Sequence, residues 1–387
     1  MTESATAYTN ETDNVLAGRQ LGERLQAQLS GPPDAVILFA SSRYDYELLL
    51  GSLTESCKPG VLVGCSSAGE FVSGQQGEGA ASAVALRSKN MQFTASVGRN
   101  LHESRKNAAA ELAASFRGVT DHQFPHRAAL LLADALAGYT DELIEELSLQ
   151  TSGNYRFFGG GAGDDAKFSK THVFCGTKAY TDAVVALEML SRKQIGIGVS
   201  HGWKSSGEPL RVTEVEGMRL ISLNAAPAVE AFEEHAEKTG QTFDRSNPIP
   251  FFLHNVLGID TGSGFKLRVP LAVNEDGSIA CASDIPDGAT LRIMSTSSAS
   301  ASEAAVAATT SALKQLGDDT PQVALFFDCV ATRLRMGKEF GDEMNALQQT
   351  LGDIPFAGCN TYGQIARSEG QFSGFHNCTA TVAVIPE

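Results

Sequence analysis

The chain has 387 residues, 42% of them hydrophobic, and a formal net charge of −15. That acidity disfavours nucleic acid as a partner, because phosphate binding needs clustered Lys and Arg, and no basic stripe with interleaved aromatics occurs. No run approaches the roughly 20 apolar residues of a membrane span, so no membrane insertion is expected. The seven cysteines are scattered without C-x-x-C pairs, which points to a reducing cytoplasm rather than to disulfides or structural zinc.

Residues 1–13 are polar and acidic and are expected to form a flexible tail. Residues 14–29 predict a helix, with Ala17, Leu21, Leu25 and Leu29 on one face. A strand at Ala35–Ala40 then leads to a predicted turn, Gly64-Cys65-Ser66-Ser67-Ala68-Gly69-Glu70. After a helix near 103–116, the pattern recurs in degenerate form. Ala128–Leu132 is a strand and Asp141–Leu149 a helix, and Phe158-Gly159-Gly160-Gly161-Ala162-Gly163-Asp164 stands where the turn was. Leu210–Leu223 reads as two short strands, followed by a helix from Pro227 to Lys238 and a polar connector, Thr239–Pro250, taken as the best internal boundary. Gly264–Val273 and Gly277–Ser283 predict a hairpin about Asn274-Glu275-Asp276-Gly277, and Thr290–Met294 a further strand. A helix ending near Leu316 precedes a third copy. There the strand Val323–Phe327 and a helix with Phe340, Met344, Leu347 and Leu351 on one face lead to Gly358-Cys359-Asn360-Thr361-Tyr362-Gly363-Gln364. A β-rich run closes each copy, at Ser82–Leu86, Ala183–Leu187 and Thr379–Val384. The expected fold class is α/β, with internally repeated strand–helix–strand units forming mixed sheets with packed helices.

Several stretches resemble the FIST family, a sensory module of bacterial signalling proteins. They are Val63–Glu70, Gly196–Trp203, Val212-Thr213, Pro227-Ala228, Phe265–Met294, Ala357–Ile365 and His376-Asn377-Cys378-Thr379. The resemblance implies two FIST halves, here expected at 14–220 and 221–387. It also implies a non-enzymatic, ligand-sensing signal-transduction protein. A subset of the family is described as haem proteins that sense nitric oxide and act on a partner histidine kinase, affecting cyclic-di-GMP or biofilm signalling. That subset gives the most specific expectation for this chain. The alternative is a sensor of an amino acid or another small anion, and a thiol-dependent enzyme stands behind both.

Haem needs an axial donor. His254 is the candidate, because Phe251, Phe252, Leu253, Val256 and Leu257 surround it in sequence and apolar surroundings favour the neutral, metal-ligating imidazole. Of the other histidines, His201 and His376 read as structural, His235 as solvated on an acidic helix, and His102, His122 and His126 as connector residues. His172, before a strand in copy two, is uninformative. Cys329 and Arg333 follow the third-copy strand, a favoured ligand position in α/β sheets. Arg333 and Arg268 are candidates for holding a carboxylate or propionate by a bidentate contact. Cys65 and Cys359 would be the nucleophiles of a thiol enzyme, although a duplicated turn favours a role in the fold. Gly159–Gly163 could cradle phosphate but lacks either phosphate-loop pattern. Asp164-Asp165 resembles a metal pair without a third ligand near in sequence.

Overall fold

The computed structural model describes residues 1–121, 123–297, 299–367 and 373–387. Three copies of one unit build most of it. The first copy is β1 (Thr2–Thr9), α1 (Asn14–Gln26), β2 (Ala35–Ser41), α2 (Tyr46–Cys57), β3 (Val61–Ser67), the small strands β4 (Glu70–Val72) and β5 (Gln75–Gly77), and β6 (Ala81–Ser88). The second is β7 (Met91–Arg99), α3 (Arg105–Ser115), β8 (His126–Ala133), α4 (Thr140–Gln150), β9 (Arg156–Gly161), β10 (Val173–Cys175), β11 (Lys178–Tyr180) and β12 (Ala183–Ser191). The third opens with β13 (Gly196–Ser200) and then receives an insertion. The insertion holds β14 (Lys204–Ser205), β15 (Leu210–Glu216), β16 (Arg219–Leu223), β17 (Ala226–Pro227), α5 (Ala228–Thr239), α6 (Ile249–Phe252), β18 (Asn255–Asp260), β19 (Phe265–Arg268), β20 (Pro270–Val273), β21 (Ile279–Cys281) and β22 (Thr290–Ser295). The copy resumes with α7 (Ser300–Gln315), β23 (Pro321–Cys329), α8 (Val330–Met336), α9 (Phe340–Leu351), β24 (Phe356–Thr361), β25 (Gln364–Arg367), β26 (Ser373–His376) and β27 (Ala380–Pro386).

Each copy centres on a parallel pair, β2–β3, β8–β9 or β23–β24, flanked by an antiparallel return strand. The small hairpin after each pair joins a different copy. The first copy's β4–β5 extends the third sheet through β24, the second copy's β10–β11 extends the first through β3, and the third copy's β25–β26 extends the second through β9. The exchange closes into a ring of three six-stranded sheets, and the insertion forms its own nine-stranded sheet.

The central strands such as β2 and β12 are largely apolar because both faces are covered. In β2, Ile37 and Phe39 point into a core shared by all three sheets, while Val36 and Leu38 pack under α1 and α2. Phe39 and Phe158 both meet Phe327 at the centre of that shared core, with ring centroids 5.6 and 6.5 Å apart. The stripe Phe340, Met344, Leu347 and Leu351 is buried, as its spacing predicts. The conserved spacing of Gly64 and Gly358 between the copies has a steric cause. A Cβ there would lie 2.1 Å from the Leu38 carbonyl oxygen or 1.8 Å from that of Phe326.

Three expectations need correction. Residues 1–13 do not fray, since Thr2–Thr9 pairs with β6 over eight residues as an edge strand. Cross-strand pairing at an edge needs no continuous apolar run, so the polar composition misled. The predicted Gly-Cys turns are mostly strand: Gly64–Ser67 and Gly358–Thr361 complete β3 and β24, and the chain reverses only at 68–69 and 362–363. The connector Thr239–Pro250 runs from the end of α5 into α6, inside the insertion. Residue 220 falls within β16. Among the described residues no helix is long and apolar enough to cross a membrane.

Candidate functional site

The carboxyl ends of the central strands meet where the hairpins cross. Asn360 N–H donates to the Gly69 carbonyl and its own carbonyl accepts from Ala68 N–H; Gly161 N–H donates to the Gly363 carbonyl and its own carbonyl accepts from Tyr362 N–H; and Gly163 N–H donates to the Ser66 carbonyl. The motif's last residue anchors each crossing. Glu70 accepts from Ser67 Oγ at 2.5 Å and from Ala80 N–H at 2.9 Å. In the third copy Gln364 donates to Thr361 Oγ1 at 2.9 Å and accepts from Thr379 N–H at 3.3 Å. In the second copy Asp164 accepts from the backbone N–H groups of Phe168, Ser169 and Lys170 and from the Tyr362 hydroxyl.

That last anchor shapes a wall. Asp165, Ala166 and Phe168 all carry positive φ, near 50–60°, a conformation that costs non-glycine residues about 1–3 kcal/mol each and concentrates at functional sites. The Asp164 carboxylate holds this loop in place and presents Phe168 flat against Tyr362, with centroids 4.4 Å apart and planes 14° from parallel. Burial, then its bond to Asp164, pushes the Tyr362 hydroxyl above its ordinary value.

Phe168 and Tyr362 line a cavity of about 500 Å³, within the range of small-molecule sites. The strand ends and α8 supply Cys329, Val330 and Leu334, and the insertion closes it with Ile249, Leu253 and Leu271. Its wall is overwhelmingly apolar. Leu136, Phe168, Ile249 and Leu334, all lining residues, are themselves 38–45% exposed, an apolar patch of the kind that marks binding sites.

Behind Cys329 lies a second, polar cavity with room for one water, about 10 Å³. Asp328, Glu343, Arg335 and Cys378 line it, and Arg335 lies 5.7 Å over the Trp203 ring. Neither oxygen of Glu343 has a hydrogen-bond partner, and burial raises its carboxyl to about 8. Burial, then the nearby Glu343 charge, raises Asp328 as well.

Of the sequence-predicted residues, only Cys329 reaches the apolar cavity. His254 is exposed and is not in its wall, although its neighbours Phe252 and Leu253 are. Burial and the nearby Arg335 hold its pKa below the ordinary value. Arg268 is 1% exposed and fully engaged: it bonds Asp141 at 2.8 Å and the carbonyls of Asp284, Leu267 and Phe375. Burial opposes the Asp141 charge, but Arg268 and Lys266 outweigh it and keep the carboxyl below its ordinary value. Arg333 pairs with Glu78. Cys65 and Cys359 are 0% exposed in the shared core, where no substrate reaches them, and burial, then contact with Cys65, raises the Cys359 thiol. Gly159–Gly161 are strand residues and no phosphate cradle. Asp164 and Asp165 are spent on internal hydrogen bonds, Asp165 accepting from Ser41 and Ser42. His235, expected in solvent, is buried at 6% against Phe251. His201 contacts the Phe265 carbonyl at 3.1 Å, and His122 lies outside the described residues.

These residues do not fit haem. The cavity wall has no His, Lys or Arg among the described residues, so it offers neither an imidazole ligand nor a propionate partner. The Tyr362 hydroxyl is engaged with Asp164. No cluster of three or more His, Cys, Asp or Glu suited to a metal occurs among the described residues. Sequence reading missed Phe168, Tyr362 and Leu334, although Tyr362 stood inside the repeated motif.

Comparison with known proteins adds the family. The FIST N domain model matches residues 34–226 and the FIST C domain model residues 228–367. Two uncharacterized proteins of Mycobacterium tuberculosis, one from each of two strains, are 24% identical to this chain over 377 residues, 95% of each chain. Among solved structures, PurLQS from Thermotoga maritima aligns with a TM-score of 0.22 and 9% identity, over 100% of this chain and 73% of that one.

Proposed function

Because this chain belongs to the FIST family of sensory domains, we propose that it is a signal-transduction sensor whose ligand is a small, mainly apolar organic molecule held in the cavity between the ring of repeats and the insertion. The apolar cavity of about 500 Å³ carries this reading. Burying apolar surface is worth about 25 cal/mol per Å², and the exposed Leu136, Phe168, Ile249 and Leu334 stand where a ligand would cover them. The cavity has walls from both bodies, so a ligand touching both favours one relative arrangement over others. A separate signalling protein, a histidine kinase by the family resemblance, would receive that change. Seven free thiols suit the reducing cytoplasm. The small-anion alternative is weaker, because Arg268 and Arg333 already have carboxylate partners.

Titration with Nile red tests the reading. Saturable binding near one dye per chain, weakened by Ala331→Trp, which puts an indole into the cavity, is the expected result. Non-saturable dye uptake, or binding that Ala331→Trp leaves untouched, overturns it. A parallel titration with hemin separates the haem-based nitric oxide sensor: a saturable Soret band at one haem per chain would favour that function over an organic ligand.

A further inference from the structure

The three copies diverge at two positions beside the cavity. The strand-end residues Ser41, Ala133 and Cys329 are equivalent, since they pair with Ser67, Gly161 and Thr361. The motif's last residue is Glu70, Asp164 or Gln364. Only the third copy therefore sets a thiol beside a neutral amide, where the other two carry a carboxylate. The register Phe327↔Thr381 runs the chain at Cys378 back alongside the end of β23 at Cys329, and Gln364 ties the two together by bonding Thr361, the partner of Cys329, and Thr379, the neighbour of Cys378. Cys378 itself sits at φ 52°, an unfavourable conformation for a non-glycine residue. The two thiols lie in one buried cluster, unbonded, and are 3% and 4% exposed. Cys329 faces the apolar cavity and Cys378 the small polar one behind it.

We propose that Cys329 and Cys378 form a reversible disulfide switch, set by apolar organic hydroperoxides that enter through the cavity. The Cys329 sulfur attacks the terminal oxygen of the hydroperoxide. An S–O bond forms, the O–O bond breaks, and the alkoxide takes a proton from water and leaves as an alcohol. The Cys378 sulfur then attacks the sulfenic sulfur. An S–S bond forms, the S–O bond breaks, and hydroxide leaves with the Cys378 proton as water. Two thiols are oxidised to one disulfide, and one hydroperoxide is reduced to alcohol and water. A low-molecular-weight dithiol reverses the switch. The hydrogen bond from Cys378, against the opposing effect of burial, lowers the Cys329 thiol to about 7, which supplies thiolate near neutrality, while the same contact pushes Cys378 well up.

The inference rests on the cavity being open to apolar molecules. Intact-protein mass spectrometry after cumene hydroperoxide tests it. The full chain should lose two hydrogens, and dithiothreitol should restore them. Cys378→Ser should stop at one added oxygen, trapped by dimedone, and Cys329→Ser should show neither change. Cumene hydroperoxide should act at least about tenfold faster than hydrogen peroxide, the factor that burial of roughly two methylene equivalents confers. An unchanged mass, or oxidation that persists in Cys329→Ser, overturns the switch. Equal rates with the two peroxides overturn the cavity as its route. Nile red binding measured on the same samples keeps the two readings apart: dye binding without oxidation fails the switch alone, whereas disulfide formation without dye binding fails the ligand pocket.

Discussion

Glu70→Gln tests the equivalence of the repeats and the electrostatics of the ring together. Glu70 is fully buried, and burial raises its carboxyl from an ordinary 4.5 to about 8, despite donors from Ser67 and Ala80. The folded chain therefore holds a proton that the unfolded chain has released, and stability falls as the pH rises from about 4.5 through about 8. At about 1.4 kcal/mol per tenfold change in proton affinity, the full span is about 5 kcal/mol, of which about 3 kcal/mol falls between pH 5.5 and 8.5. Glutamine carries no such linkage. It can also keep both contacts, donating to Ser67 and accepting from Ala80, as Gln364 does with Thr361 and Thr379. Urea unfolding of the two proteins at pH 5.5 and 8.5 is the assay. The stability of Glu70→Gln relative to the parent should rise by about 3 kcal/mol between the two pH values. An equal loss at both would refute the reasoning, because it would mean that the carboxylate itself is needed at the crossing.

Asp141→Asn removes the countercharge of a buried Arg268 that ties the insertion to the second copy, and urea unfolding should register a loss of about 3–5 kcal/mol. Because the Asp141 pKa is depressed, its contribution in the parent is present above pH 3.8 and is lost as the pH falls through the lower folded value, so an acid unfolding series should show the gap between parent and variant closing. Asp164→Ala strips the acceptor from three backbone N–H groups and from Tyr362. The strained loop should relax, with Nile red affinity falling by about tenfold or more at a stability cost of about 1–3 kcal/mol. Gly358→Ala drives a Cβ to within 1.8 Å of the Phe326 carbonyl oxygen. A loss above about 4 kcal/mol is expected, read as a collapse in soluble yield or in Tm.

What the sequence disclosed was local. Apolar runs such as Ala35–Ala40 and Val323–Phe327 announced buried strands, and helical stripes such as Phe340 to Leu351 announced the helices above them. The duplication was visible because Gly64 and Gly358 answer the same steric demand. The hairpin exchange was not, since β4 reaches β24 across almost three hundred residues and nothing in Glu70–Val72 names its partner. The cavity was hidden for the same reason: its walls come from the 164–168 loop, α6 and α8, joined only by the closed ring. His254 misled because its apolar neighbours Phe252 and Leu253 reach the cavity while the imidazole itself stays exposed outside it. Cys329 lines the cavity because it stands at a strand end, the position that made it a candidate in sequence.

Hydrogen–deuterium exchange with and without a saturating apolar ligand tests the shared pocket most directly. Nile red serves as the first ligand, on the full chain. Protection should rise together in three segments far apart in sequence, 164–168, 249–253 and 330–334, one from the insertion and two from the ring. Protection confined to one of these walls, or to a surface elsewhere, would contradict a ligand held between the two bodies.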